Sequence, residues 1–265
     1  MPDREVQVER SADGVVVLSI DRPGSRNALD WETWRQLLAA LEESEADDAV
    51  RAVVLTGAGG CFSAGGDMKS SPAAGGDVFA PSARLRLGHR VVRALYHLSK
   101  PTVAAVEGFA LGAGWSLALA ADVVVSADDA FFAAPFVQRG LVPDAGAAWF
   151  LARRAGHHVA AEIIFTGQRL PASRAAAAGL VSRLVPPHRA LPEAMDLAAV
   201  LAGGPADALG LAKRLLHHAA GADLDDFLDT ELIAAALNSY GPDAAEGRAA
   251  FVEKREPRFG RRPTR

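Results

Sequence analysis

Three short runs, Arg51-Ala-Val-Val-Leu-Thr56, Thr102-Val-Ala-Ala-Val106 and Asp122-Val-Val-Val-Ser126, are apolar at nearly every position rather than at every second one. A strand with one face in water alternates, and a strand buried on both faces does not, so these runs predict a sheet covered by helices on both sides. Helical stretches alternate with the runs, which defines the class as α/β. Val15-Val-Val-Leu-Ser-Ile20 predicts a further strand, closed by the turn Asp21-Arg-Pro-Gly24. After it, Asp30 is placed to cap a helix on which Trp31, Trp34, Leu37, Leu38 and Leu41 share one face. From about Pro205 the pattern becomes wholly helical, over Ala206 to His218, Leu224 to Asn238 and Asp243 to Lys254, with breaks at Gly221 and Gly241-Pro242. The chain is therefore divided into a core over residues 1–204 and a helical region over 205–265. Residues 70–82, rich in Ser, Pro, Ala and Gly, predict a mobile loop able to cover a pocket.

With 50% hydrophobic but only 6% aromatic residues, the core is expected to be packed through short side chains. A net charge of -4 gives no overall basic field for nucleic acid. Charge is uneven, however: Lys254, Arg255, Arg258, Arg261, Arg262 and Arg265 outweigh Glu253 and Glu256 in the last fifteen residues. Such a tail is either a solvated end or a phosphate-binding element. Cys61 is the one cysteine, which excludes an intrachain disulfide and a cysteine-based metal cluster. The N-terminal Met-Pro-Asp-Arg-Glu-Val lacks an apolar signal core, and no apolar run reaches the roughly 18 residues of a membrane span, so a cytoplasmic protein without membrane contact is expected.

Two glycine-rich segments, Gly59 to Lys69 and Glu107 to Ser116, each follow an apolar run and lead toward a helix. Glycine at such junctions lets main-chain N–H groups approach a ligand oxygen, and two segments together suggest a two-donor oxyanion site. Neither is a P-loop or a dinucleotide fingerprint: Gly57 to Gly66 lacks the Gly-Lys-Ser/Thr ending, and Leu117 stands where a third glycine is needed. Gly114-Trp-Ser-Leu-Ala118 is one residue short of a nucleophile elbow, which leaves Ser116 open as a hydrolase nucleophile, with His157-His158 the next histidines along the chain.

Phe62-Ser-Ala-Gly-Gly-Asp-Met-Lys69, Gly108-Phe-Ala-Leu-Gly-Ala-Gly114 with Leu117-Ala-Leu-Ala-Ala-Asp122, Gly140-Leu-Val-Pro-Asp-Ala-Gly146, Thr166-Gly and Ala178-Gly-Leu-Val-Ser182 closely resemble the crotonase (enoyl-CoA hydratase/isomerase) superfamily, over Arg22 to Phe259. The resemblance implies a spiral of ββα units, a C-terminal helical region that forms trimers or dimers of trimers, and acyl-CoA thioester substrates. It makes the N–H groups of Gly66 and Ala113 the oxyanion hole. It further implies that Ser63, Ala64, Asp67 and Met68 lie along the adenine end of CoA, that Lys69 and Lys254 meet its phosphates, and that Arg26 and Ala28 lie near its pantetheine path. Gly112, Trp115, Ser116 and Phe136 belong to the expected acyl surroundings. No metal or separate cofactor is expected, coenzyme A being part of the substrate.

The chain departs from the hydratases of that family at both catalytic glutamates. Ser116 and Phe136 stand at those positions, and neither is a carboxylate base. Asp144 matches the position at which several isomerases of the superfamily, including ring-opened phenylacetyl-CoA pathway and Δ3,Δ2-enoyl-CoA isomerases, carry their acid. One base suits an isomerase, provided an apolar pocket raises its pKa; Phe136, Trp115 and Leu141 are the side chains expected to supply that surface. Asp144 equally fits a helix cap before Ala147-Ala-Trp-Phe-Leu151, which would lower its pKa. Alternatives to the isomerase are an atypical hydratase, a non-catalytic acyl-CoA- or RNA-binding member and a Ser116 hydrolase. Glu107 is expected to pack at a strand end, and His89 and His97 to serve helix faces. The pairs His157-His158 and His217-His218 diverge on a helix and make no two-histidine metal site.

Overall fold

The computed structural model describes residues 4–69 and 80–260. Along the chain lie β1 (Val6–Arg10), β2 (Val15–Ile20), α1 (Trp31–Ala46), β3 (Ala52–Gly57), α2 (Ala80–His97), β4 (Thr102–Val106), β5 (Phe109–Leu111), α3 (Ala113–Ala120), β6 (Val123–Ala127) and β7 (Phe131–Ala133). They are followed by α4 (Ala147–Ala155), α5 (His157–Thr166), β8 (Leu170–Pro171), α6 (Ala172–Ala177), β9 (Arg183–Val185), α7 (Ala190–Ala202), α8 (Ala206–Ala219), α9 (Leu224–Ser239) and α10 (Pro242–Glu253). The main sheet has the order β1-β2-β3-β4-β6-β9; β1 is antiparallel to β2 and the remaining pairs are parallel. A smaller sheet, β5-β7-β8, lies beside it.

The apolar runs are buried on both faces, as their composition requires. Val16, Leu18, Val53, Leu55, Ala104, Val106 and Val124 face a large core shared with α1, α2 and α3. Their neighbours Val15, Val17, Ala52, Val54, Val103, Ala105 and Val125 face a second core against α7. On α7 the inward positions are Ala190, Ala194, Ala198 and Ala202, a four-residue repeat of methyl groups that lets the helix lie close on the sheet. This explains how so few aromatic residues fill the interior.

Asp30 caps α1 by accepting from the Thr33 amide at 2.9 Å. Trp34, Leu37, Leu38 and Leu41 are buried on its inner face, but Trp31 is 50% exposed and leaves the expected face. At N1 its side chain starts the first turn outside the packed stripe. The loop expected over residues 70–82 falls mostly outside the described residues, and Ala80 to Ser82 already belong to α2. Among the described residues no single helix is long and apolar enough to cross a membrane.

From Ala206 to Glu253 the chain forms three successive helices, with α8 pinned to the core by an ion pair. Lys213, 7% exposed, meets Asp122 at 2.8 Å, and Asp122 also accepts from the Thr102 amide and hydroxyl, each at 2.8 Å. Glu107 behaves as the expected strand-end group. Its carboxylate accepts from the amides of His188 (3.0 Å) and Ala190 (2.8 Å) and so holds the start of α7.

Candidate active site

Backbone approach, more than any side chain, shapes the site. In the first glycine segment, the Leu29 amide donates to Gly65 O and the Asp67 amide to Leu29 O, a parallel bridge that turns the Gly66 amide to the opposite side. Gly65 has φ +88°, and a Cβ there would stand 2.6 Å from Leu111 O and 3.5 Å from the Ala113 nitrogen. Only glycine permits both the conformation and the approach. The second contact between the segments is equally tight, since a Cβ on Gly114 would meet Ser63 Cβ and Oγ at 2.6 Å each. Gly112, at φ +51°, precedes α3 and puts Ala113 at its first position, where an amide has no acceptor within the helix. The amides of Gly66 and Ala113 are thus brought to one pocket without a partner in the backbone ladder.

Trp34, Arg84, Leu85, Gly88, His89, Asp144 and Ala145 complete that pocket. The enclosed space is about 20 Å³, room for about one water molecule, with Arg84 and Leu85 at its partly exposed edge. A larger cavity of about 710 Å³ opens between Arg51, Lys100 and α8–α10. It contains neither the paired amides nor Asp144, and its charged lining mixes Arg214 with Asp207 and Asp243.

Asp144 does not cap α4. Gly146 holds the cap position, and it is the main-chain Asp144 O, not the carboxylate, that accepts from the Ala147 amide at 2.9 Å. The turn between them is left-handed at both Ala145 (φ 49°) and Gly146 (φ 82°), an uncommon conformation for a buried alanine. The carboxylate consequently lines the pocket, with Oδ1 buried and lacking a hydrogen-bond partner. Burial raises its pKa above the ordinary aspartate range, and the positive potentials of Arg84 and His89 offset only part of the rise.

Several expected ligand contacts are corrected. The apolar surface around Asp144 comes from Trp34 and Leu85: Trp115 is 2% exposed and packs on Phe132, and Leu141 is exposed. Trp115 is therefore a core residue and not a CoA contact. Ser63 is likewise enclosed, donating to Asn27 O at 2.7 Å and accepting from the Gly65 amide at 3.1 Å, so its hydroxyl braces the loop. Ser116 is fully buried; its hydroxyl donates to Gly112 O at 3.3 Å and lies 3.5 Å from Asp144 O, with no histidine beside it to activate a nucleophile. The side chain of Asp67 is turned to Arg22 at 3.2 Å, and Arg22 also binds Glu5 (3.0 Å) and Asp30 (2.8 Å). Arg22, in the turn after β2, is thus a hub that joins Asp67 to Glu5 and Asp30.

Of the remaining expected contacts, four lie on two neighbouring segments. The Ala64 amide donates to Arg26 O at 3.0 Å, which sets the turn carrying exposed Arg26 and half-buried Ala28 along the segment carrying exposed Met68 and Lys69. Phe136 is buried beside Gly112, where its ring is 3.6 Å from the site of a Cβ. Lys254 caps the end of α10, exposed and outside the pocket lining. Sequence reasoning missed Trp34, Arg84, Leu85 and Gly88 as pocket residues. The spacing of Arg84, Leu85, Gly88 and His89 along α2 is the signal that identifies a shared face.

Two backbone amides and a carboxylate share a pocket edged by apolar side chains, an arrangement able to stabilise a developing oxyanion beside a proton acceptor. The chain belongs to the enoyl-CoA hydratase/isomerase family, the crotonase superfamily, whose sequence model matches residues 10–262. Particular relatives include the 1,2-epoxyphenylacetyl-CoA isomerase of Escherichia coli K12, 37% identical over 93% of this chain and 95% of that protein. A putative enoyl-CoA hydratase of Thermus thermophilus is 40% identical over 96% of this chain and all of its own length. The crystal structure of a putative enoyl-CoA hydratase from Streptomyces coelicolor A3(2) superposes with a TM-score of 0.93 at 37% identity, covering 99% of this chain and 96% of that one. The fold is therefore the crotonase fold, and acyl-CoA thioesters are the family's substrates.

Proposed function

We propose that the protein is an acyl-CoA isomerase that moves a double bond, or rearranges a ring-derived acyl group, with Asp144 as its single proton shuttle. The observation that carries this is the pocket itself, where Asp144 is the carboxylate among the lining residues with Gly66 and Ala113; the family resemblance adds that Ser116 and Phe136 stand where hydratases carry their glutamates. For a 3-enoyl thioester, Asp144 takes a proton from C2. The C–H electron pair enters the conjugated system, and negative charge collects on the thioester oxygen between the two amides. Each donor contributes about 3 kcal/mol to that charge. Asp144 then returns the proton to C4, leaving a 2-enoyl thioester. Its raised pKa suits both halves of the cycle, because a stronger base is also an acid easily formed.

Arg26, Ala28, Ala64, Met68 and Lys69 form the proposed CoA rim, with Lys254 supplied from its own or a neighbouring subunit. Residues 205–265 form the proposed oligomerisation region of a trimer or dimer of trimers in the cytoplasm. No metal or additional cofactor enters the scheme. A hydratase is the second reading, favoured by the name of the Thermus thermophilus relative.

Incubation with 2-enoyl-CoA and 3-enoyl-CoA, with products followed by mass, separates the two. Isomerisation leaves the mass unchanged and hydration adds one water. Rapid water addition to 2-enoyl-CoA overturns the isomerase assignment, and unchanged turnover in Asp144→Ala removes Asp144 from the mechanism.

A further inference from the structure

On α2, Arg84, Leu85, Gly88 and His89 recur at the spacing of one helical face and line the pocket opposite Asp144. Gly88 keeps that wall open: a Cβ there would already lie 3.6 Å from the Trp34 indole, so any longer side chain would fill the gap. Arg84 Nη1 donates to Asp67 O at 3.1 Å, the carbonyl immediately after Gly66. This bond ties the wall to the oxyanion segment while the guanidinium, with five N–H donors in all, retains further donors for a ligand. His89 adds an imidazole on the next position of the same face.

The pocket therefore combines an apolar side, Trp34 and Leu85, with hydrogen-bond donors that the reaction scheme does not use. A hydrocarbon acyl group would cover Arg84 without giving it an acceptor, which is costly for a charged donor. A carboxylate on the acyl group would enter a confined space already holding Asp144, and like charges there disfavour one another. An uncharged oxygen meets both constraints. Resting on the acyl-CoA reading above, we propose that Arg84 and His89 are specificity residues that select an acyl group with an apolar body and an uncharged acceptor oxygen, of ether, epoxide or carbonyl type.

The test is binding, not turnover. Tetrahydropyran-2-ylacetyl-CoA and cyclohexylacetyl-CoA differ by one ring oxygen and neither can isomerise; their affinities are compared by calorimetry, with adipyl-CoA and hexanoyl-CoA as the carboxylate pair. The wild-type protein is expected to favour the ring ether at least tenfold over the cyclohexyl thioester. Arg84→Met is expected to reduce the preference to within about twofold, in part by tightening cyclohexylacetyl-CoA binding as the uncompensated charge is removed, and His89→Leu to reduce it partly. Because the two variants are independent, misfolding of one leaves the other informative. Equal wild-type affinity for the ring pair, a preference that survives both substitutions, or a stronger preference for adipyl-CoA over hexanoyl-CoA overturns the proposal. Tight binding of both ring thioesters without discrimination sinks only the specificity claim, whereas failure of every thioester to bind sinks the acyl-CoA reading with it.

Discussion

At Asp144 one side chain bears two opposing demands. Its buried Oδ1 lacks a partner, so the ionised form costs folding energy that the protonated form does not. With the folded pKa raised above the unfolded value, this group favours folding most below the unfolded pKa, and that contribution is lost as pH rises through the folded pKa. Asp144→Asn is therefore expected to stabilise the protein at pH 7.5 by about 1–3 kcal/mol, a gain of a few degrees in Tm that fades toward pH 4. The same variant is expected to lose activity about 10²- to 10⁴-fold while retaining CoA affinity. Calorimetric melts at the two pH values, beside rates, check both; a lower Tm at pH 7.5 contradicts the burial argument. The sequence exposed Asp144 as a candidate but not its role, because Pro-Asp before a helical run reads equally as a cap. The left-handed pair Ala145 and Gly146 excludes the cap, and conformations of that kind at alanine leave no mark in the sequence. Ser63 and Trp115 were misplaced for a related reason: residue type shows what can touch a ligand, whereas the approach of Gly114 to Ser63 closes that surface.

Elements meet at two kinds of junction. Between the glycine segments the junction is backbone against backbone, so Gly65→Ala must move Leu111 and strain a left-handed φ together. Expected is a loss of kcat/KM of at least 10²-fold, comparable to removal of one oxyanion donor, with the fold retained by circular dichroism; wild-type kinetics in this variant would detach Gly65 from the site. Between α8 and the core the junction is electrostatic. Lys213→Met leaves Asp122 with its Thr102 bonds but without its cation, a cost of about 3 kcal/mol that unfolding in denaturant measures. Nearby, His217 stacks on Tyr96 with ring centroids 3.7 Å apart, and burial lowers its pKa to about 4. A depressed histidine supports folding above the unfolded pKa near 6.5 and loses that support as pH falls toward about 4. His217→Asn is accordingly expected to flatten the decline of Tm between pH 6.5 and 4, and an unaltered slope would contradict this. The strands and helices were legible here because uninterrupted apolar runs and 3.6-residue periodicity report burial directly. The Lys213–Asp122 contact was not, since nothing local marks two charges 91 positions apart as neighbours.

Across the whole molecule, the helices after Gly204 carry apolar side chains that one chain leaves in solvent. Leu224, Leu228 and Leu232 recur every four residues on α9 at 69%, 46% and 69% exposure, with Ile233 and Leu237 beside them. Exposed apolar surface of this kind marks an interaction site, and the proposed assembly would cover it. Analytical ultracentrifugation is expected to show a trimer or hexamer of the 27.7 kDa chain, and Leu232→Glu to shift it toward monomer; a monomeric wild-type protein defeats the assembly proposal. The wholly helical end was plain from its periodicity, but a periodic face does not say whether it packs inward or onto a second chain.

The amides of Gly66 and Ala113 are supplied by the main chain, so almost any amino acid at those two positions would still bring an N–H. A screen for lost function of the proposed oxyanion hole would accordingly return Gly65, Gly112 and Gly114, positions whose own amides are not its donors. Damage to the proposed oxyanion hole would therefore fall on the spacing between the two glycine loops, where no side chain of the hole itself is lost.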